Sequence, residues 1–174
     1  EMFQSARTAP VDDKDKKYAD DLFLLTNKPV LYACNVDEEG LSQDNEFVKI
    51  VREYAQKQGN QVVKICGKLE SEIADLETQE EKKEFLEAAG LEQSGLNKMI
   101  HAGYKLLGLE TYFTAGEKEV RAWTYHHGAK APQAAGVIHT DFERGFIKAE
   151  VYHYDDLIQY GSEQKVKEAG KLRI

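Results

Sequence analysis

The tetrapeptide Asn35-Val36-Asp37-Glu38 sets an amide and a carboxylate three residues apart, directly after the apolar run that begins at Val30. A side-chain amide carries a donor and an acceptor side by side, and an ionised carboxylate accepts from amino or imino groups. Together they have the chemistry to read the edge of a purine. The position suits that task, because ligands of open α/β sheets bind beyond the carboxyl ends of the strands. The plainer reading of the same residues is a strand-to-loop turn with solvated acids, since Asn-x-x-Glu arises by chance in many loops.

The elements that must hold this pair can be read outward from it. A second apolar run, Gln61 to Cys66, leads into Gly67 and Lys68. Between the two runs, Asn45 to Gln58 sets Phe47, Ile50, Val51 and Tyr54 on one helical face, and Gly59-Asn60 closes the helix. A helical crossover between buried strands makes them parallel, with a right-handed connection and their carboxyl ends on the same side. Asn35 and Cys66-Gly67-Lys68 then become neighbours, and backbone groups of the latter complete a base pocket. Two parallel strands do not shield both faces of a sheet, so the unit is expected to belong to a larger one.

Upstream, a loop precedes a helix over Asp13 to Thr26, with Tyr18, Leu22 and Leu25 at helical spacing, and Pro29 breaks it. Downstream, the acidic stretch from Leu69 to Gly90 predicts two helices divided near Thr78, where Thr78-Gln79-Glu80-Glu81 has the form of a capping box. A further helix over Ser94 to Leu107 groups Leu96, Ile100, Tyr104 and Leu107 and stops at Gly108. From about Leu109 the pattern becomes α+β. Two β-rich runs flank Ala115-Gly116-Glu117-Lys118 as a hairpin, and Gly145 to Tyr154 alternates as a strand with one wet face. Two short helices follow, and "KLRI" opens one more strand.

Other residues invite functional readings that a bland one competes with. His126-His127 would point to opposite faces of a strand and have no ligand partner at metal spacing, which favours a surface pair. Cys34 and Cys66 on adjacent strands form either a redox pair or two small buried hydrophobes. The run from Glu70 to Glu87 reads as a solvated acidic face. In "IHTDFERGF", Thr140 or Asp141 suits a helix cap and His139 an internal hydrogen bond. Arg144, Lys148 and Arg121, with Trp123 or Phe142 for stacking, offer contacts to RNA or a small anion.

Composition bounds these readings. The 174 residues, 41% hydrophobic, suffice for one ordinary core or two small ones. With 23 Lys and Arg against 31 Asp and Glu, a net charge of −8 excludes a protein that coats nucleic acid by bulk charge, so RNA contact requires a local patch. No apolar run reaches the roughly 20 residues of a membrane span, and the N-terminal stretch lacks a signal-peptide core. Two isolated cysteines suit a reducing cytoplasm.

Four segments, "LFLLTNKPVLYACNVDE", "VVKICGKLESEIADL", "GLNKMIHAGYKLLGLETYFTAGEKEVRAWT" and "KAPQAAGVIHTDFERGFIKAEV", closely resemble the C-terminal half of the YchF branch of the Obg-like ATPases. The resemblance runs from about Leu22 to Ile174. It implies an α/β plus α+β chain: the rear of a P-loop NTPase with a Rossmann-like parallel sheet, then a TGS β-grasp module cut short at its C-terminus. Residues 1–27 would end a helical insertion, 28–108 complete the nucleotide-binding domain, and 109–174 form the TGS module. Where typical GTPases carry Asn-Lys-x-Asp, this branch carries Asn-x-x-Glu, which goes with ATP preference and residual GTP binding.

The resemblance assigns base contacts to Asn35, Val36, Glu38, Cys66, Gly67 and Lys68. It implies ATP or GTP with Mg²⁺ in the intact protein, and a ribosome or rRNA partner through the TGS module. Neither DNA nor membrane is implied. The phosphate cradle Gly-x4-Gly-Lys-Ser/Thr is not found in these residues, so no catalytic or metal-holding residue is assigned and the chain alone is not expected to hydrolyse nucleotide. The rival reading is a non-catalytic module that binds RNA, ribosome or protein.

Overall fold

In the computed structural model, which describes residues 4–116 and 118–174, the chain divides into two compact units, Glu1–Gly108 and Leu109–Ile174. The first unit opens with a 3-10 turn at Ala6–Thr8, followed by a short helix α1 (Lys16–Asp21) and a second 3-10 turn at Leu25–Asn27. The single helix expected over Asp13 to Thr26 is therefore interrupted, with Phe23 in the left-handed region at φ 50°. Tyr18, Leu22 and Leu25 stand in solvent. Their spacing is helical, but without a packing partner among the described residues an apolar stripe adds nothing to hold so short a helix.

Strand β1 (Leu31–Asn35) is followed by α2 (Glu38–Ser42) and α3 (Glu46–Lys57), then by β2 (Gln61–Ile65). The strands pair in parallel, Leu31 opposite Gln61 through Asn35 opposite Ile65, as the strand-helix-strand order predicts. The N–H of Val36 donates to the Ile65 carbonyl at 2.8 Å and carries the pairing one residue further.

Helix α4 (Gly67–Asp75) leaves the end of β2 at once, α5 (Gln79–Ala88) follows, and α6 (Gly95–Leu107) closes the unit. The capping box at Thr78 and Glu81 forms as the sequence predicts, and Ser94 and left-handed Gly108 bound α6. Contacts assign the faces of the strand pair. Tyr32 meets Tyr54 of α3 edge-on, and Lys64 meets Asp44 just before α3, whereas Ile65 lies against Gly95 of α6. Alternation along a strand therefore puts α3 and α6 on opposite faces.

Two helix faces differ from the sequence reading. In α3, Val48 and Ala55 are buried at the sheet, 2% and 1% exposed, and the expected Val51 lies half-buried between them. Phe47, Ile50 and Tyr54 remain over half exposed, Tyr54 reaching the sheet at Tyr32. In α6, Gly95 is the buried residue and Leu96, Ile100, Tyr104 and Leu107 are exposed. Small side chains let each helix approach the strands closely. At Gly95 an added Cβ would stand 3.1–3.2 Å from Ile65, which shows how tight the approach is. The Glu70 to Glu87 run is likewise more than a solvated face: Glu70 accepts from the N–H groups of Gly95 and Leu96 at 2.6 and 3.1 Å, tying α4 to the start of α6.

In the second unit, β3 (Leu109–Ala115) and β4 (Val120–His126) form the expected antiparallel hairpin, Tyr112 opposite Trp123. Glu110, Tyr112 and Thr114 share one face with Arg121, Trp123 and Tyr125. The Tyr112 hydroxyl donates to the Ala134 carbonyl of α7 (Ala131–Gly136) at 2.9 Å. Helix α8 (Thr140–Arg144) follows, capped by His139, whose Nδ1 accepts from the Asp141 N–H at 3.1 Å. The cap is thus His139, an exposed residue, rather than Thr140 or Asp141.

The strand predicted over Gly145 to Tyr154 does not form a ladder. Among the described residues only Val151 bridges, to Arg173, which is also all that "KLRI" contributes. Alternation supplies a strand's faces, but pairing requires a neighbour with matching free backbone groups. The short helices α9 (Tyr154–Tyr160) and α10 (Glu163–Glu168) complete the unit around fully buried Val166.

Candidate functional site

The parallel register delivers Asn35 and Gly67 to the same end of the strand pair. The Asn35 Oδ1 accepts the Gly67 N–H at 2.9 Å, so the amide bridges the two tips and retains its Nδ2 hydrogens for another partner. Gly67 begins α4 and Cys66, 3% exposed, seats the turn from beneath. Asp37 caps α2 by accepting from the Gly40 N–H at 2.8 Å, which turns Glu38 toward α4. Gly40 is buried under this turn, and an added Cβ would collide with Val36 Cβ at 2.8 Å.

Glu38 reaches Lys68 across the tips, Oε1 accepting from Nζ at 2.9 Å, with Glu72 further off at 3.9 Å. The bond to Glu38 raises the Lys68 pKa above its ordinary value, with the nearby charge of Glu72 adding to it. An open cleft of about 730 Å³ lies here, lined by Asn35, Val36, Glu38, Cys66, Gly67 and Lys68. All six residues expected from the sequence therefore meet at one place.

Asp37, Glu39 and Asn45 also line the cleft. Asn45 was legible only as a helix start: its side chain caps α3 by accepting from the Val48 N–H at 2.9 Å. Its neighbour Asp44 had no sequence signal. Asp44 accepts from Arg52 of α3 and, at 2.8 Å, from Lys64 of β2, and these bonds hold its carboxyl down at about 2. The clamp fixes the cleft's far wall to the sheet.

In the second unit, the Arg121 guanidinium lies 4.2 Å from the Trp123 ring centroid, and the Trp123 indole N–H donates to Thr114 Oγ1 at 2.8 Å. Phe142 and Arg144 lie on α8, and Lys148 is in the segment without regular structure beyond it. Among the described residues no hydrogen bond or ion pair links these three to Arg121 or Trp123. His127 pairs with Glu110 at 2.5 Å, and the hydrogen bond from Tyr125, then that from His127, holds the Glu110 carboxyl below its usual range. Cys34 and Cys66 are both free thiols, Cys34 standing opposite Lys64 in the register.

A mixed α/β unit with strand ends converging on a polar cleft, followed by an α+β unit, defines a class that comparison with known proteins resolves. Over nearly its whole length the chain is similar to the C-terminal part of YchF/Obg-like ATPases. Residues 109–174 match the family model YchF-GTPase_C, described as a protein of unknown function (DUF933).

The chain is 51% identical to "Ribosome-binding ATPase YchF" of Bacillus subtilis over 100% of its own length and 49% of the relative's. It is 46% identical to "Obg-like ATPase 1" of Rattus norvegicus, over 93% of this chain and 41% of that one. It therefore spans about half the length of the curated relatives it matches. The solved structure of the Schizosaccharomyces pombe YchF GTPase superposes with a TM-score of 0.76 at 38% identity, covering 97% of this chain and 45% of that one. Among the described residues no helix is long and apolar enough to cross a membrane.

Proposed function

We propose that this chain supplies the base-reading half of a nucleotide site in a YchF-type, ATP-preferring P-loop NTPase that also binds GTP and works with ribosomes in the cytoplasm. The observation that carries the reading is the Asn35–Gly67 bridge with Glu38 beside it. The cleft offers amide donors and a carboxylate oxygen on the carboxyl side of two parallel strands, the place and chemistry a purine requires. Residues 28–108 act as the rear of the nucleotide-binding domain, preceded over 1–27 by the end of a helical insertion. Residues 109–174 act as a TGS β-grasp module.

Phosphates and Mg²⁺ are assigned to the intact protein and not to this cleft. Among the described residues no three metal-binding side chains gather, and Glu38 is engaged by Lys68. Titrating the full-length protein with a fluorescent ATP analogue and with GTP tests the reading. Asn35→Ala and Glu38→Ala are expected to weaken binding or change base preference, and unchanged titrations with both would refute the pocket.

Relatives are named as ribosome-binding, and the stacked Arg121–Trp123 pair favours the second unit as an RNA-contacting surface. This supports the second reading, a binding module that engages ribosomal components without nucleotide. Cosedimentation with ribosomes over a salt series tests it, and indifference to Arg121, Arg144 and Lys148 substitutions would remove the patch.

A further inference from the structure

We propose that Lys68 is a specificity-determining residue: by seating its ammonium on Glu38 it converts a carboxylate suited to guanine into a donor–acceptor pair that also accepts adenine. The inference rests on the purine pocket proposed above and adds to it a residue that sets base choice.

The argument begins with what a lone carboxylate prefers. Its two oxygens are adjacent acceptors, and guanine presents adjacent donors, the N1–H and the N2 amino group, on its Watson–Crick edge. Adenine instead presents an acceptor, N1, beside a single donor, the N6 amino group. An unpartnered Glu38 would therefore match guanine twice and adenine once, leaving one oxygen facing adenine N1, acceptor against acceptor. Unmatched polar groups in a binding site are the strongest source of discrimination between similar ligands.

The geometry changes that preference. Lys68 Nζ donates to Glu38 Oε1 at 2.9 Å, and Lys68 lies on α4 beyond Gly67, which Asn35 fixes at 2.9 Å. The ammonium has three donors and no acceptor. The pair thus offers one N–H from Lys68 beside the remaining oxygen of Glu38. That arrangement fits adenine N1 with N6–H, and it equally fits guanine O6 with N1–H, at the loss of the N2 contact. Guanine loses an advantage and adenine gains a partner. Glu72, at 3.9 Å from Nζ, helps hold the ammonium on this side.

The test measures the ratio of ATP to GTP dissociation constants for the full-length protein by calorimetry. Lys68→Met should move the ratio toward GTP by about tenfold, the effect of one hydrogen bond to a charged group. Lys68→Arg, which retains a donor, should keep the original ratio. Gln at position 38 carries its own oxygen and amide donor, so in a Glu38→Gln background Lys68→Met should cause no further shift. An unchanged ratio in Lys68→Met overturns the inference, as does a full shift that persists with Glu38→Gln. Asn35→Ala separates this failure from that of the pocket itself: if neither it nor Glu38→Ala affects binding of either nucleotide, the pocket falls. If they weaken binding while Lys68→Met leaves the ratio alone, only the role of Lys68 falls.

Discussion

At the strand tips of the first unit, polar side chains find partners far along the chain: Asn35 reaches Gly67, 32 residues away, and Glu38 reaches Lys68, 30 residues away. On the hairpin of the second unit the corresponding contacts close over short distances. Trp123 bonds Thr114 across nine residues, and Arg121 stacks on Trp123 within its own strand. The first cluster therefore exists only while the parallel register and both flanking helices are intact. The second requires little more than a correctly turned hairpin, and its residues are set by local pairing.

That contrast can be broken most severely at Asn35. Asn35→Ala leaves the Gly67 N–H without its partner and removes the free amide, so nucleotide affinity of the full-length protein should fall on the order of tenfold to a hundredfold in equilibrium titration. Ribosome cosedimentation, which we propose the hairpin mediates, should survive. Gly95→Val should come next, because its side chain would press on Ile65 and Glu70. A loss of about 1–3 kcal/mol is expected in chemical denaturation, read by exchange protection in residues 31–65, while hairpin amides keep their protection.

Arg121→Ala should have a smaller effect, about 0.5–1 kcal/mol for an exposed cation–π contact, seen as a modest change in Trp123 fluorescence and salt-sensitive cosedimentation without any change in nucleotide affinity. The last effect is confined to acid. Asp44 ionises at about 2 rather than 3.8, so its bonds to Arg52 and Lys64 stabilise the fold above about pH 4 and are lost as pH falls through 2. Asp44→Asn should flatten that part of the stability profile, measured by urea unfolding between pH 5 and 2.

The sequence makes some of this architecture plain and hides the rest for identifiable reasons. Two apolar runs separated by a helical period are enough to infer the parallel pair, and with it the nearness of Asn35 to Gly67. The Thr78–Glu81 box is readable because both partners lie within one turn. Helix faces are harder. In α3 two apolar rows compete, and hydrophobicity favours the bulky Phe47, Ile50 and Tyr54, yet close approach to the strands selects Val48 and Ala55.

The Glu38–Lys68 pair and the Asp44 clamp depend on where separate elements end, which no local pattern encodes. The sequence favours Thr140 or Asp141 as the cap, because Thr and Asp are the usual residues there, and suits His139 to an internal hydrogen bond, whereas His139 itself caps α8. The alternating stretch before Tyr154 shows the converse: a strand's periodicity with no neighbouring strand among the described residues to complete it.

The bulky rows on α3 and α6 have a practical corollary for anyone handling the polypeptide. Phe47, Ile50, Leu96 and Leu107 form greasy skin that water tolerates while molecules repel one another through a surplus of eight negative charges. That repulsion vanishes near the isoelectric point of about 5.2. Turbidity should therefore appear around that acidity, well before Asp44 gains its proton, and dissolve again on either side.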